Sequence, residues 1–226
     1  MRFKGRFSLK TKSVIFCILS IIVIIIAVNK IIYNRKYNYN NMNSQIVKEN
    51  STTKSNLKYY ENEKSKKLNQ KYKEAEQMFR NKQYSECIKK ADEIITEDKN
   101  FYKAYNIKGI ALSYSGNFEK GMENIDKSIA LNSNYGYAKF NKALAYELYG
   151  KYDEALLWYD KNLSIEKYVW SYYGKASIYG RRGDVTNTVK YLKIALDMSP
   201  EIKDIARDEK DFDPVKNSKE FQQLIN

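Results

Sequence analysis

The sequence predicts an all-α chain: a solenoid of helical hairpins closed by C-terminal capping helices and preceded by one membrane-spanning helix. Three observations predict it. Gly116-Asn117-Phe118-Glu119-Lys120-Gly121 returns as Gly150-Lys151-Tyr152-Asp153-Glu154-Ala155 and, more weakly, as Gly183-Asp184-Val185-Thr186-Asn187-Thr188, at steps of 34 and 33 residues. A period near 34 is the mark of a stacked helical repeat. Residues 14–28 are uncharged and apolar apart from Ser20. The charge is divided: residues 1–73 hold 16 Lys/Arg against 3 Asp/Glu, and residues 74–226 hold 24 against 24, so the whole +13 lies in the N-terminal third.

The N-terminal tail, 1–12, carries Arg2, Lys4, Arg6, Lys10 and Lys12. The apolar segment 13–33 follows. Its 21 residues would span about 30 Å as a helix, the thickness of a bilayer core. Lys30 can snorkel and Tyr33 suits the interface. The region of Ala27 lacks the pair of small residues of a signal-peptide cleavage site, and Phe16 rather than a small residue precedes Cys17. The segment therefore reads as an uncleaved single-span anchor, with Cys17 an apolar lipid-facing residue. The basic flank favours a cytoplasmic N-terminus, with the bulk of the chain outside the cell membrane. Residues 34–67 read as a polar, basic linker that is irregular or loosely helical at first and runs into helix from about Leu57.

Absence of histidine excludes Ser-His-Asp and Cys-His catalysis and His-ligated zinc. Two cysteines, Cys17 and Cys87, cannot make a four-ligand metal site. No phosphate loop, nucleophile motif or metal spacing is present in the sequence, which predicts a non-enzymatic chain without cofactor or metal. The neutral C-terminal two-thirds argues against a nucleic-acid partner.

Within each repeat, small residues recur on the first helix (Ala75, Gly109, Ala143, Ala176) and on the second (Cys87, Gly121, Ala155, Thr188). They let two helices approach, while Tyr84, Phe118, Tyr152 and Val185 fill the space beside the turn. Gly116, Gly150 and Gly183 supply the turn, and Lys82 stands at that place in the first unit. Cys87 is then a packing residue. After Pro200 come Glu201-Ile202-Lys203-Asp204-Ile205-Ala206 and a one-sided apolar set, Phe221, Leu224 and Ile225. Asp213-Pro214 reads as the start of the last helix, and 201–226 as the cap of the array.

The pattern resembles the tetratricopeptide repeat over residues 68–200, in units of about 68–101, 102–135, 136–168 and 169–200. Tyr105 and Tyr172 fit the family's aromatic near the start of the first helix, where the third unit has Lys139. The resemblance implies a concave groove lined by the first helices, which binds a peptide or helix of a protein partner. Carried over unit by unit, the groove places fall on Tyr72, Glu76 and Phe79 and on Lys103, Asn106, Ile110 and Tyr114. They continue with Tyr137, Phe140, Leu144 and Glu147, then with Trp170, Tyr173, Ser177 and Arg181. Asn106, Asn141 and Arg181 do not reproduce the spacing of the family's carboxylate clamp for chaperone tails. The expected function is a membrane-anchored interaction scaffold. The alternatives are a self-associating structural protein of the envelope, hence a homo-oligomer, and, least favoured, a regulatory domain of an enzyme complex.

Overall fold

The computed structural model describes residues 9–226, with side chains described at 16, 18, 21, 22, 24–43 and from 59 onward. The basic tail 1–12 and much of the segment 13–33 therefore lie wholly or partly outside the described residues. The chain divides into two units, 1–65 and 66–226.

Helix α1, Leu9–Arg80, carries the first unit and enters the second. Residues 34–56, the irregular or loosely helical start of the linker by sequence, lie within this helix, as does the stretch expected to be helical from about Leu57. The reason is compositional. No Gly or Pro occurs between Gly5 and Gly109, and the Lys, Glu, Gln and Asn that make the segment polar are compatible with helix. The described side chains of the first unit are exposed, including Ile24, Ile26 and Ile32 at 61, 61 and 58 %. Among the described residues no helix is long and apolar enough to cross a membrane.

The second unit is a row of helical hairpins. The end of α1 pairs with α2 (Tyr84–Glu97), α3 (Tyr102–Tyr114) with α4 (Phe118–Leu131), α5 (Gly136–Leu148) with α6 (Tyr152–Leu163), and α7 (Val169–Arg181) with α8 (Val185–Met198). Each hairpin turn has one geometry. The first helix ends in a residue with positive φ: Lys82 at 59°, Gly116 at 89°, Gly150 at 71° and Gly183 at 72°. That residue's N–H donates to the carbonyl three back, and the next N–H to the carbonyl five back, as in Gly150 to Glu147 (2.9 Å) and Lys151 to Tyr146 (2.9 Å). This is the Schellman closure of a helix C-terminus. Lys82 (to Phe79, 2.9 Å) and Gln83 (to Met78, 2.9 Å) form it as well, although lysine has a β-carbon.

The small positions do what their size suggests. Ala75, Cys87, Ala143, Ala155, Ala176 and Thr188 are all fully buried. A β-carbon on Gly121 would stand 2.9 Å from the Gly109 carbonyl, and one on Gly109 would stand 2.7 Å from the Gly121 carbonyl. Burial alone pushes the Cys87 thiol up to about 12, so it is protonated and inert at neutral pH.

A second device recurs between hairpins. Asp92 of α2 pairs with Lys108 of α3 at 2.7 Å, Asp126 of α4 with Lys142 of α5, and Asp160 of α6 with Lys175 of α7. Lys142 also lies over the Trp158 ring at 4.1 Å, and Lys175 over Tyr191 at 4.4 Å. Lys142 and Lys175 are only 7 and 5 % exposed. Burial works against the charge of Lys175, but hydrogen bonds with Asp160 and Tyr191 outweigh it, so its pKa lies above the ordinary value. A buried cation needs such partners.

The C-terminal cap differs from its sequence reading. Helix α9, Ile202–Asp208, is followed by a 3-10 turn, Lys210–Phe212, and by α10, Lys219–Ile225. Asp213-Pro214 does not open a helix. The last helix is capped by Ser218, whose Oγ accepts the Phe221 N–H at 3.3 Å. The residues between are needed as a turn that buries Val215 beside Phe212 and Phe221. Gly180 permits this docking, because a β-carbon there would meet the Phe212 ring at 2.7 Å and the Asp211 carbonyl at 2.8 Å.

Candidate functional site

Helices α3, α5 and α7 follow one another along one side of the array, α3 touching α5 and α5 touching α7. Their shared face holds a cavity of about 690 Å³. Such a volume is within the range of ligand sites, about 300–1,000 Å³. Tyr114 of α3, Phe140 and Leu144 of α5, and Trp170 and Tyr173 of α7 form its apolar wall. Glu147, Ser177 and Arg181 bring polar groups from the C-terminal halves of α5 and α7.

Residues outside the expected groove places complete it. Tyr159 of α6 lies beneath the cavity, 1 % exposed, and its hydroxyl donates to Glu147 Oε2 at 2.5 Å. Gly174 makes room for that ring, since a β-carbon would meet it at 2.4 Å. Glu209 and Asp211 enter from the segment after α9. Asp211 Oδ1 holds Arg181 Nη2 at 2.7 Å, while its other oxygen meets the Ser177 hydroxyl. Ser177 Oγ also lies 3.1 Å from Glu147 Oε1. Burial raises the Glu147 carboxyl above the usual carboxylate range, with the Tyr159 and Ser177 hydrogen bonds opposing it only in part. The Tyr173 hydroxyl is buried and has no hydrogen-bond partner among the described residues. Burial also raises its pKa.

A smaller cavity, about 330 Å³, lies between the end of α1 and the loop before α5. Tyr72 and Glu76 of α1, Lys103 of α3, and Tyr135 and Tyr137 line it. Lys103 Nζ sits 5.8 Å from the Tyr72 ring centre. Burial raises the Tyr72 pKa far above its ordinary value.

The groove places expected from sequence are thus divided between two cavities. Tyr114, Phe140, Leu144, Glu147, Trp170, Tyr173, Ser177 and Arg181 meet at the larger one, and Tyr72, Glu76, Lys103 and Tyr137 at the smaller. Phe79, Asn106 and Ile110 line neither. Phe79 fills the gap between hairpins, its ring 5.5 Å from those of both Tyr84 and Tyr114. Asn106 and Ile110 are buried at 0 and 1 % exposure, because α3 is packed by α2, α4 and α5. The groove places carried over from the repeat do not include Tyr135, Tyr159, Glu209 or Asp211. They come from an inter-hairpin loop, a second helix and the non-repeating tail, where groove periodicity gives no signal.

No family model matches the chain. An uncharacterized protein of Methanocaldococcus jannaschii, MJ0572, is 40 % identical over 74 residues, which cover 32 % of this chain and 86 % of that protein. Among solved structures, TTC0263, a thermophilic TPR protein in Thermus thermophilus, superposes with a TM-score of 0.55 at 16 % identity, over 61 % of this chain and 76 % of that one. PilW, a type IV pilus biogenesis factor, gives 0.56 at 16 %, over 70 and 77 %. Naa15/Naa10 bound to HypK-THB gives 0.52 at 17 %, over 61 % of this chain and 21 % of that one. The fold is the all-α helical-hairpin solenoid of tetratricopeptide proteins.

Proposed function

The chain belongs to the same family as MJ0572 and folds as a tetratricopeptide solenoid, and we propose that it is a non-enzymatic, membrane-anchored scaffold for protein partners. Its groove holds a peptide or helix of the partner. The observation that carries this reading is the aromatic-walled cavity shared by α3, α5 and α7. Aromatic side chains offer large contact area at low entropic cost and dominate binding hot spots. The Naa15 likeness supports the reading, since a solenoid of this fold is there described with a bound protein.

Anchoring rests on the sequence of 13–33 and on the exposed isoleucines of α1. Exposed apolar side chains of this number mark a surface that meets lipid or another protein, and the apolar run 14–28 favours lipid. The basic flank before it favours a cytoplasmic N-terminus and an array outside. Protease treatment of intact cells tests this orientation: the array should be cleaved, and its full protection would reverse the assignment.

Groove function is tested by Phe140→Ala with Tyr173→Ala in the full chain. Cross-linked partner capture from native membranes should be lost while far-ultraviolet helicity is retained. Capture that survives in a folded double variant would place the partner elsewhere.

A further inference from the structure

The larger cavity has more carboxylates than donors to serve them. Glu147, Glu209 and Asp211 line it, and Arg181 is the one cation among its described lining residues; Asp211 already holds that guanidinium. Glu147 takes its hydrogen bonds from the hydroxyls of Tyr159 and Ser177. Ser177 has a single hydroxyl hydrogen, yet it lies between Glu147 and Asp211. One hydrogen cannot serve both carboxylates. A hydroxyl is also a weaker partner for a desolvated carboxylate than a cation is. Burial raises the Glu147 carboxyl above the usual carboxylate range, and the nearby Asp211 carboxylate adds to that.

The surroundings suit a cation as well. Tyr114, Phe140, Trp170 and Tyr173 border the same space, and aromatic faces attract ammonium and guanidinium groups. The buried Tyr173 hydroxyl has a free lone pair to offer a donor. An anion would instead meet three carboxylates and a guanidinium that is already engaged.

We propose that this cavity receives a basic side chain, Lys or Arg, presented by the protein segment bound in the groove. The cationic head lies among Glu147, Asp211 and Glu209, and the aliphatic stem runs along the aromatic wall. This rests on the peptide-groove reading above and adds the chemistry of the bound residue.

The test pans a phage-displayed library of random peptides on the full chain in detergent micelles. The selected peptides should share a Lys or Arg at one position. Replacing that residue by norleucine, or Glu147→Gln in the protein, should weaken binding about tenfold, and added salt should weaken the wild-type complex. Glu147→Gln keeps an acceptor for Tyr159 and should melt no lower than wild type, so a folding defect is told apart. Glu209→Gln supplies a second variant with the same expected direction. A selection without a basic consensus, or binding indifferent to Glu147→Gln and Glu209→Gln, overturns the proposal. If such peptides still depend on Phe140 and Tyr173, the groove stands without its cation. If they do not, the groove reading falls too.

Discussion

Replacing Lys82 by glycine should stabilise the array, and replacing Gly150 by alanine should destabilise it by a similar amount. Both residues close a helix with the same pair of hydrogen bonds, at φ of 59° and 71°. For an L-residue the left-handed conformation costs about 1–2 kcal/mol. Glycine avoids that cost but gives back about 0.4–1 kcal/mol through the greater freedom of its unfolded chain. The net gain for Lys82→Gly is therefore about 1 kcal/mol. At Gly150 a β-carbon meets nothing within 4 Å, so steric crowding does not enter and conformation alone sets the loss. In a unit of this size, about 1 kcal/mol moves the melting temperature by about 2–4 °C. Circular-dichroism melts of the full chain measure the sum, and amide exchange in α2 and α6 locates it, because repeat arrays open locally as well as globally. Shifts of the same sign for both substitutions, or a destabilised Lys82→Gly, would refute the reasoning.

Gly174→Ala should cost about 1–3 kcal/mol by overpacking against the Tyr159 ring, and it should weaken partner capture because that ring supports Glu147; urea denaturation and the capture assay check the two effects. Glu147→Gln should raise the melting temperature near pH 7. The folded chain holds this proton to higher pH than the unfolded chain does, so the carboxyl costs stability as pH rises from the ordinary carboxylate range through its folded value. The gain should disappear below about pH 4, where both states are protonated, and melts across pH check it. A double-mutant cycle on Asp126 and Lys142 should give a coupling of about 0.5–1 kcal/mol, reduced by the 53 % exposure of the carboxylate and falling with added salt.

The hairpin fold is legible in the sequence because it depends on residues whose size or backbone freedom is itself the signal. Gly116, Gly150 and Gly183 mark turns that need positive φ, and Ala75, Ala143 and Ala155 mark helix contacts with no room for more. Lys82 shows the limit of that logic, since the turn forms there despite the side chain, held by the same hydrogen bonds. Asp213-Pro214 misleads because a helix-start signal is local, whereas Val215 and Phe212 are held in a turn by distant residues of α7 and α10. The polar run 34–67 lacks the apolar period that marks a packed helix, and with no Gly or Pro in it the chain keeps a helical backbone there all the same. At the candidate site, the first-helix aromatics can be placed by spacing. Asp211 and Glu209 cannot, because a tail that occurs once has no period to reveal where it docks.

The ladder of Asp–Lys pairs bears on how such a chain can change in length. Asp92, Asp126 and Asp160 each present the same carboxylate to the helix that follows, and Lys108, Lys142 and Lys175 each answer it. Loss of residues 102–135 as a block would bring Asp92 before Lys142, with the junction's charges already matched. A duplicated block would be equally compatible. Replication errors of one whole unit are thus tolerated at the seams, and the features that occur once — Gly174 beneath Tyr159, Asp211 against Arg181 — are what such an error puts at risk. Variation in repeat number among relatives should accordingly fall before α5, where it can cost the cavity beside the C-terminal cap the Tyr114 ring of α3 but leaves its α5, α7 and tail residues in place.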